Sequence, residues 1–282
     1  LRTIHGRHAA GAAVRGIEML AIDSGAGMHD ADAAMADGTS TAGTYGVGLG
    51  AIRRQSDLFA LYTWPERGTV LRSVVWETPG ALEPWQCGLV CLPLAGELQC
   101  GDAGWAATID DGVLLTLVDG LGHGEAAADA AAAAVDTLAA LAVSSPGLPL
   151  PGLAMHLHAA LQKTRGAALA IARIDAHAGQ VQFVGVGNIA CCTSLAGQRR
   201  HLVSVNGIVG HNLRKVQVFD TAWQDEMLLI LHSDGLTSRW SLDPYPGLEQ
   251  AHPALIAAVL YRDCYRGRDD VSVMVLRRGE IP

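Results

Sequence analysis

The stretch Val118-Asp119-Gly120-Leu121-Gly122-His123-Gly124 constrains this chain more than any other. It joins an apolar run, Val113 to Val118, to an alanine-rich segment that opens at Glu125, and the order reads as strand, glycine-rich elbow, helix. The run has β-branched residues and strand length. Residues 126–141 are nearly all Ala, Leu and Val, with Asp129 and Asp136 as their only charges, a composition of high helix propensity. An aspartate is thereby fixed at a strand tip. The glycines at 120, 122 and 124 lack the Cβ atoms that would block close backbone approach. Such a loop can bring a carboxylate and a backbone carbonyl to one small cation. Asp-Gly is equally an ordinary turn dipeptide, and the elbow alone leaves both readings open.

Acids recur at strand ends along the chain. Gly101-Asp102 follows Leu98-Gln99-Cys100, Ser233-Asp234-Gly235 closes the apolar run Met227 to Leu231, and Asp269-Asp270 opens the run Val271 to Leu276. Carboxylates gathered at one end of a sheet repel by roughly 4 kcal/mol per pair at about 4 Å and an effective dielectric near 20. Their clustering is costly unless a cation is bound. An all-oxygen ligand set suits Mg²⁺ or Mn²⁺ rather than zinc.

The ordered series Gly-Asp, Asp-Gly-x-Gly-x-Gly, Ser-Asp-Gly and Asp-Asp resembles the metal-dependent protein phosphatase superfamily (PPM, the protein phosphatase 2C fold). The elbow Asp-Gly-Leu-Gly-His-Gly, with Gly185-Val186-Gly187-Asn188-Ile189 further on, is similar to its bacterial SpoIIE-type branch, from about Gly88 to Arg277. The resemblance implies an α+β chain whose C-terminal part is an α-β-β-α sandwich with two divalent cations, Mn²⁺ or Mg²⁺, at one end. In that scheme Asp119 bridges the two cations and the carbonyl of Gly120 binds one of them. Asp234 and Asp269 complete the ligand shell of the second cation, Asp102 contacts a metal through water, and Asp270 is a supporting neighbour. Water attacks phosphorus in line and frees a serine or threonine hydroxyl without a phosphoenzyme. His123 is the candidate proton donor to the leaving alkoxide, because imidazole titrates near neutrality. In protein phosphatase 2C the histidine directly follows Asp-Gly, whereas His123 lies three residues beyond Gly120; bracing the helix at Glu125 is its alternative role. Asn188 is read as holding a turn near the site.

The N-terminal third carries a different pattern. A strand over residues 16–22 ends in Asp23-Ser24-Gly25-Ala26-Gly27, and a second glycine loop, Gly43-Thr44-Tyr45-Gly46-Val47-Gly48-Leu49-Gly50, leads into a short amphipathic helix over 51–57. A strand pair follows over 58–63 and 69–75. Asp-x-Gly-x-Gly followed by Gly-x-Gly-x-Gly resembles the GHKL (Bergerat) ATP-binding fold, an α/β sandwich, as found in bacterial anti-sigma-factor serine kinases. The resemblance implies that Asp23, Gly25 and Gly27 take the adenine, that Gly46, Gly48 and Gly50 form a phosphate lid at a helix N-terminus, and that Thr69 supports the adenine end. Two glycine turns in a small α+β domain are the plainer reading. The family's metal-binding asparagine helix does not precede Leu1, and the first residue is not Met. The domain therefore reads as a partial ATPase, either a fragment of a longer protein or a decayed docking module, and ATP binding by it is doubtful.

Residues 1–78 are assigned to this partial ATPase, 79–87 to a linker bearing Pro79, Gly80 and Pro84, and 88–282 to the phosphatase-like domain. Further elements are helices over 152–164 and 253–265 and a hairpin from 167–174 to 180–186. A net charge of −8 argues against a nucleic-acid surface. The six cysteines, at 87, 91, 100, 191, 192 and 264, form no C-x-x-C pair. With no secretory signal and no apolar stretch read as spanning a bilayer, reduced thiols and a cytoplasmic location are the expectation, with no membrane partner.

Three functions follow from the resemblances. The first is an active phosphatase acting on phosphoserine or phosphothreonine of a STAS-domain antagonist or stressosome protein, with a sigma factor or switch kinase as further partners. The second is a bifunctional switch in which a complete upstream ATPase half, in a longer reading frame, phosphorylates what this half dephosphorylates. The third is a non-catalytic module that captures an antagonist.

Overall fold

The computed structural model describes residues 1–8, 12–35, 48–109, 112–213 and 215–279. The chain opens with strands β1 (Arg2–Arg7) and β2 (Ala13–Ile22), short helices α1 (Ala31–Met35) and α2 (Gly48–Gln55), and the strands β3 (Leu58–Trp64) and β4 (Gly68–Trp76). These strands form an antiparallel sheet in the order β1-β2-β4-β3. Then come β5 (Trp85–Leu92), β6 (Asp102–Ile109), β7 (Gly112–Gly120), α3 (Glu125–Ser144), α4 (Leu150–Leu161), β8 (Ala167–Asp175) and β9 (Gln180–Val186). The chain continues with β10 (Ala190–Leu195), β11 (Gln198–Leu202), β12 (Phe219–Ala222), β13 (Leu228–His232), α5 (Pro253–Cys264) and β14 (Val271–Arg278). Two five-stranded sheets result, β12-β9-β8-β7-β6 and β11-β10-β13-β14-β5.

Strand β7 shows why these sheets stack. Side chains alternate across a strand, so Val113, Leu115 and Leu117 meet Phe183, Leu229 and Leu231 between the sheets. Leu114 and Val118 face the other way, onto Leu138 of α3 and Leu153 and Leu157 of α4. A strand covered on both faces reads as a continuous apolar run, which is what made β7 legible. Helix α3 buries Ala127, Ala130, Ala131, Ala134 and Leu138, a stripe at helical spacing whose small side chains let it lie close to the sheet. Its 20 residues, with a hydropathy of 1.6, are long and apolar enough by composition to cross a membrane. This corrects the reading that the chain has no such stretch; in the fold the helix packs on β6, β7 and α4.

Helix α5 covers the outer face of the other sheet, completing the order helix, sheet, sheet, helix. Its residues Pro253 to Leu260 are all buried. One side meets Ile230, Val273 and Val275, and the other meets Leu20, Ile22, Ala60, Tyr62 and Val70 of the N-terminal sheet. A helix apolar all round must be enclosed, and here the N-terminal sheet encloses it. Under that contact Arg72 donates to Glu18 Oε1 and to Glu83 Oε1, each at 2.6 Å, with Arg72 and Glu18 nearly sealed from solvent. Burial would raise both carboxyls, but Arg2 and Arg72 hold Glu18, and His252 with Arg72 holds Glu83, below the usual carboxylate range.

Some elements differ from the sequence reading. Arg2–Arg7, to which the sequence reading assigned no element, is an edge strand that pairs Arg2 with Glu18. Within the segment read as a linker, Ala81 is buried, Leu82 bridges to Arg7, and residues 85–87 already belong to β5. Gly48 and Gly50, read as part of a loop, lie in the first turn of α2, because the amphipathic pattern extends the helix back to Gly48. Gly46 lies outside the described residues.

Candidate metal centre

Asp102 opens β6 and Asp119 stands near the end of β7, and the antiparallel register places them directly opposite one another. Asp234 follows β13 and Asp269 precedes β14, and since these strands are antiparallel neighbours both acids sit at one end of the second sheet. The backbone permits this convergence only where side chains are missing. A Cβ on Gly120 would stand 2.2 Å from the Ala127 carbonyl oxygen, and one on Gly235 would stand 2.0 Å from that of Asp270. Gly120 N–H donates to the Gly101 carbonyl at 2.9 Å, tying the two acid-bearing turns together.

The electrostatics report a crowded anionic site. Burial, reinforced by Asp102, Asp234 and Asp269 and opposed by the Asn188 amide, pushes the Asp119 carboxyl up to about 8. Burial likewise pushes Asp102 up to about 6, opposed by the hydroxyls of Ser233 and Ser272 and reinforced by Asp270 and Asp269. Asp269 is raised by burial and by Asp234 and Asp270, while the Asp270 N–H and nearby His123 pull it down. The structure thus brings Asp102, Asp119, Asp234 and Asp269 into one electrostatic unit. Asp102 is 4% exposed and its Oδ2 is buried without a hydrogen-bond partner. An orphaned carboxylate oxygen among mutually repelling acids fits a hard divalent cation. Among the described residues no three His, Cys, Asp or Glu side chains are drawn around one point.

The neighbours sort into braces and rim. Asp270 accepts from Leu94 N–H and Gly101 N–H, both at 2.7 Å, so its two oxygens hold the loop that enters β6. Asn188, read from sequence as a turn holder, donates its amide to Asp234 Oδ2 at 2.8 Å. Buried His232 has its Nδ1 against the Ser233 carbonyl at 2.8 Å and accepts from the Trp240 indole at 3.0 Å, which fixes the strand end that carries Asp234. His123 Nδ1 lies 2.6 Å from Glu97 Oε1, and the imidazole side chain is 53% exposed. Arg266 donates to the Asp234 carbonyl at 3.1 Å, and with Arg268 it lines a cleft of about 190 Å³ against Asp234, Gly235 and Asp269. Sequence reading missed Glu97, His232 and Arg266. Nothing local links Glu97 to a histidine 26 residues away, and only the apolar setting of His232 hinted that it was buried.

In the N-terminal sheet Asp23 Oδ1 accepts from Gly25 N–H at 2.7 Å and from Thr69 N–H at 3.3 Å, so the structure joins these three residues. Gly27, at φ 65, lies where a Cβ would stand 2.0 Å from the Trp64 carbonyl oxygen. The loop is therefore packed onto the β3–β4 turn. Gly48 and Gly50 belong to α2.

A family model described as Stage II sporulation protein E (SpoIIE) matches residues 109–279. Over 62 residues the chain is 36% identical to the serine/threonine-protein kinase RsbT of Bacillus subtilis; that match covers 22% of this chain and 47% of the relative, so the chain spans about half the length of the curated relative it matches. A solved structure titled as the bacterial stressosome, a modular system adapted to control secondary messenger signaling, superposes with a TM-score of 0.62 and 28% identity. It covers 68% of this chain and 99% of that chain. RsbX in complex with magnesium superposes with a TM-score of 0.56 and 20% identity, over 70% of this chain and 96% of that one. Solved PPM-type phosphatases at lower identity share the same mixed α+β sandwich.

Proposed function

Because the chain belongs to the SpoIIE family, and its sandwich is a serine/threonine phosphatase domain of the PPM type, we propose that it is a metal-dependent phosphatase acting on phosphoserine or phosphothreonine of a STAS-domain antagonist or stressosome protein. The observation that carries this reading is Asp102 opposite Asp119, with Asp234 and Asp269 beside them and one buried carboxylate oxygen unpaired. Asp119, Asp102, Asp234, Asp269 and the Gly120 carbonyl are the groups that would hold two Mn²⁺ or Mg²⁺ ions. When bound, such ions lower the pKa of water and neutralise charge on the phosphoryl oxygens.

The protein's own residues do the rest. Asn188 orients Asp234, and Asp270 fixes the turn from which Asp102 projects. Glu97 holds His123 at the rim within electrostatic reach of Asp269. From there the imidazole can give a proton to the departing serine oxygen as the phosphorus–oxygen bond breaks. The products are the free hydroxyl and inorganic phosphate. A sigma factor or switch kinase would be the antagonist's other partner.

The division into 1–78, 79–87 and 88–282 belongs to the same proposal, with the N-terminal part docked on α5. The hydrogen-bonded group of Asp23, Gly25 and Thr69, together with the RsbT match, favours as a second reading a bifunctional switch whose N-terminal half takes ATP. Direct titration of ATP into the chain decides that point.

The phosphatase reading is tested by phosphate release from a phosphoserine peptide and from p-nitrophenyl phosphate, with Mn²⁺, with Mg²⁺ and with chelator, for the chain and for Asp119→Asn. Metal-dependent turnover lost in the variant supports it. A folded sample that turns over neither substrate with either metal overturns it in favour of an antagonist-binding module.

A further inference from the structure

We propose that Cys91 and Cys100 form an oxidisable dithiol at the acid end of the sandwich. It takes a hydroperoxide as its two-electron oxidant and, once closed as a disulfide, weakens the hold on divalent cations. The two Sγ atoms lie 3.5 Å apart. Both residues are free thiols and partly exposed. Cys191 and Cys192, by contrast, are buried neighbours on β10 that point into opposite cores.

The location gives the pair its consequence. Cys91 lies on β5 of one sheet, and Cys100 lies two residues before Asp102, which opens β6 of the other. A bond between them would staple the two sheets together beside the acids. Cys91 Sγ donates to the Asp102 carbonyl at 3.0 Å, so its hydrogen is engaged and Cys100 is the sulfur placed to react first. The Cys100 thiolate attacks one peroxide oxygen, the O–O bond breaks, and the departing oxygen takes a proton and leaves as water or alcohol. Cys100 becomes a sulfenic acid. The Cys91 sulfur then attacks the Cys100 sulfur and displaces hydroxide, which leaves as water with the Cys91 proton. Two thiols have lost two electrons and two protons, and the peroxide has taken them.

A disulfide needs its sulfurs about 2.05 Å apart, so closure draws the pair together by about 1.5 Å. It also removes the thiol donor from the Asp102 carbonyl. Gly101, covalently next to Cys100, donates to Asp270 at 2.7 Å and accepts from Gly120 N–H at 2.9 Å. The displacement therefore reaches Asp102 on one side and the backbone beside Asp119 on the other. This effect on cations rests on the metal-centre reading above; the formation of the bond does not.

The test uses the full chain, reduced and free of metal, treated with hydrogen peroxide. Peptide mapping by mass spectrometry follows, with Mn²⁺ titration calorimetry before and after. The expected result is a peptide linking residues 91 and 100 that dithiothreitol reverses and that Cys91→Ser and Cys100→Ser both lack. Oxidation should lower Mn²⁺ affinity tenfold or more, whereas peroxide-treated Cys100→Ser should bind as its untreated form does. Thiol loss without the 91–100 link, or linked protein that binds Mn²⁺ as the reduced protein does, overturns the proposal. If the reduced chain binds no Mn²⁺, the metal-centre reading and the effect on cations fall together, and the map still decides the bond.

Discussion

Asp102 and Asp119 stand opposite each other across the β6–β7 ladder, and both carboxyls are pushed well above their ordinary range, to about 6 and about 8. Like charges placed opposite one another on a sheet destabilise it. The fold tolerates the pair because the strand ends leave room for a counter-charge, and that tension is the source of the predictions below.

Replacing Asp119 by Asn should raise the stability of the metal-free protein near neutral pH, by about 1–3 kcal/mol, because the neutral amide needs no proton taken up on folding, whereas burial and its neighbours force one onto Asp119. The same change should abolish stabilisation by Mn²⁺. Thermal melts of both proteins, in chelator and in excess Mn²⁺, check the pair of effects; a variant less stable than wild type in chelator would contradict them.

The sign of the pH dependence follows from the same shifts. A carboxyl whose folded pKa is raised contributes stability that is full below its unfolded value, near 3.9, and is lost as pH rises through the folded value. For Asp102 the loss runs up through about 6, and for Asp119 up through about 8. Metal-free protein should therefore lose stability steadily between about pH 4 and pH 8. Glu18, held low by Arg2 and Arg72, and Glu83, held low by His252 and Arg72, lose their contribution only below that window, as pH falls. Saturating Mn²⁺ should flatten or reverse the slope, because the cation displaces the protons. Chemical denaturation across this range, with and without chelator, measures it.

Asn188 touches an acid and is itself exposed, so its removal should spare the fold. Asn188→Ala frees Asp234 Oδ2, and turnover at limiting Mn²⁺ should fall by roughly tenfold to a hundredfold. Raising the Mn²⁺ concentration should recover part of the loss, and an unchanged metal requirement would show that the amide orients nothing.

Arg72 presents the opposite case, a buried cation on which the fold depends. Arg72→Ala leaves Glu83 without its arginine and Glu18 with Arg2 alone, and breaking a buried pair costs about 3–5 kcal/mol. Urea denaturation should show that loss, with the N-terminal sheet and α5 released together because they share one core.

Much of this was written along the chain. The apolar run of β7, the glycines of the elbow and the acids at 102, 119, 234 and 269 could be read because both faces of β7 are buried and each acid abuts an apolar run. The weaker strands escaped notice. Strand β11 exposes Gln198, Arg199, Arg200 and His201 and has no hydrophobic signal, and β12 is only four residues long. Strand β1 alternates over six residues with just Ile4 and Gly6 turned inward. Pairings between distant residues, such as Glu97 with His123 and Asn188 with Asp234, have no local signature and emerged only from the fold. The close approach of Cys91 to Cys100 depends on how the two sheets stack.

Mn²⁺ titration calorimetry on the reduced chain near neutral pH, repeated in buffers of different ionisation enthalpy, tests the metal centre most directly. The account predicts binding accompanied by proton release, since Asp119, raised to about 8, is largely protonated there. It also predicts that Asp119→Asn loses both the binding and the proton release. Binding that Asp119→Asn leaves unchanged, or no binding by the folded wild-type chain, would contradict it.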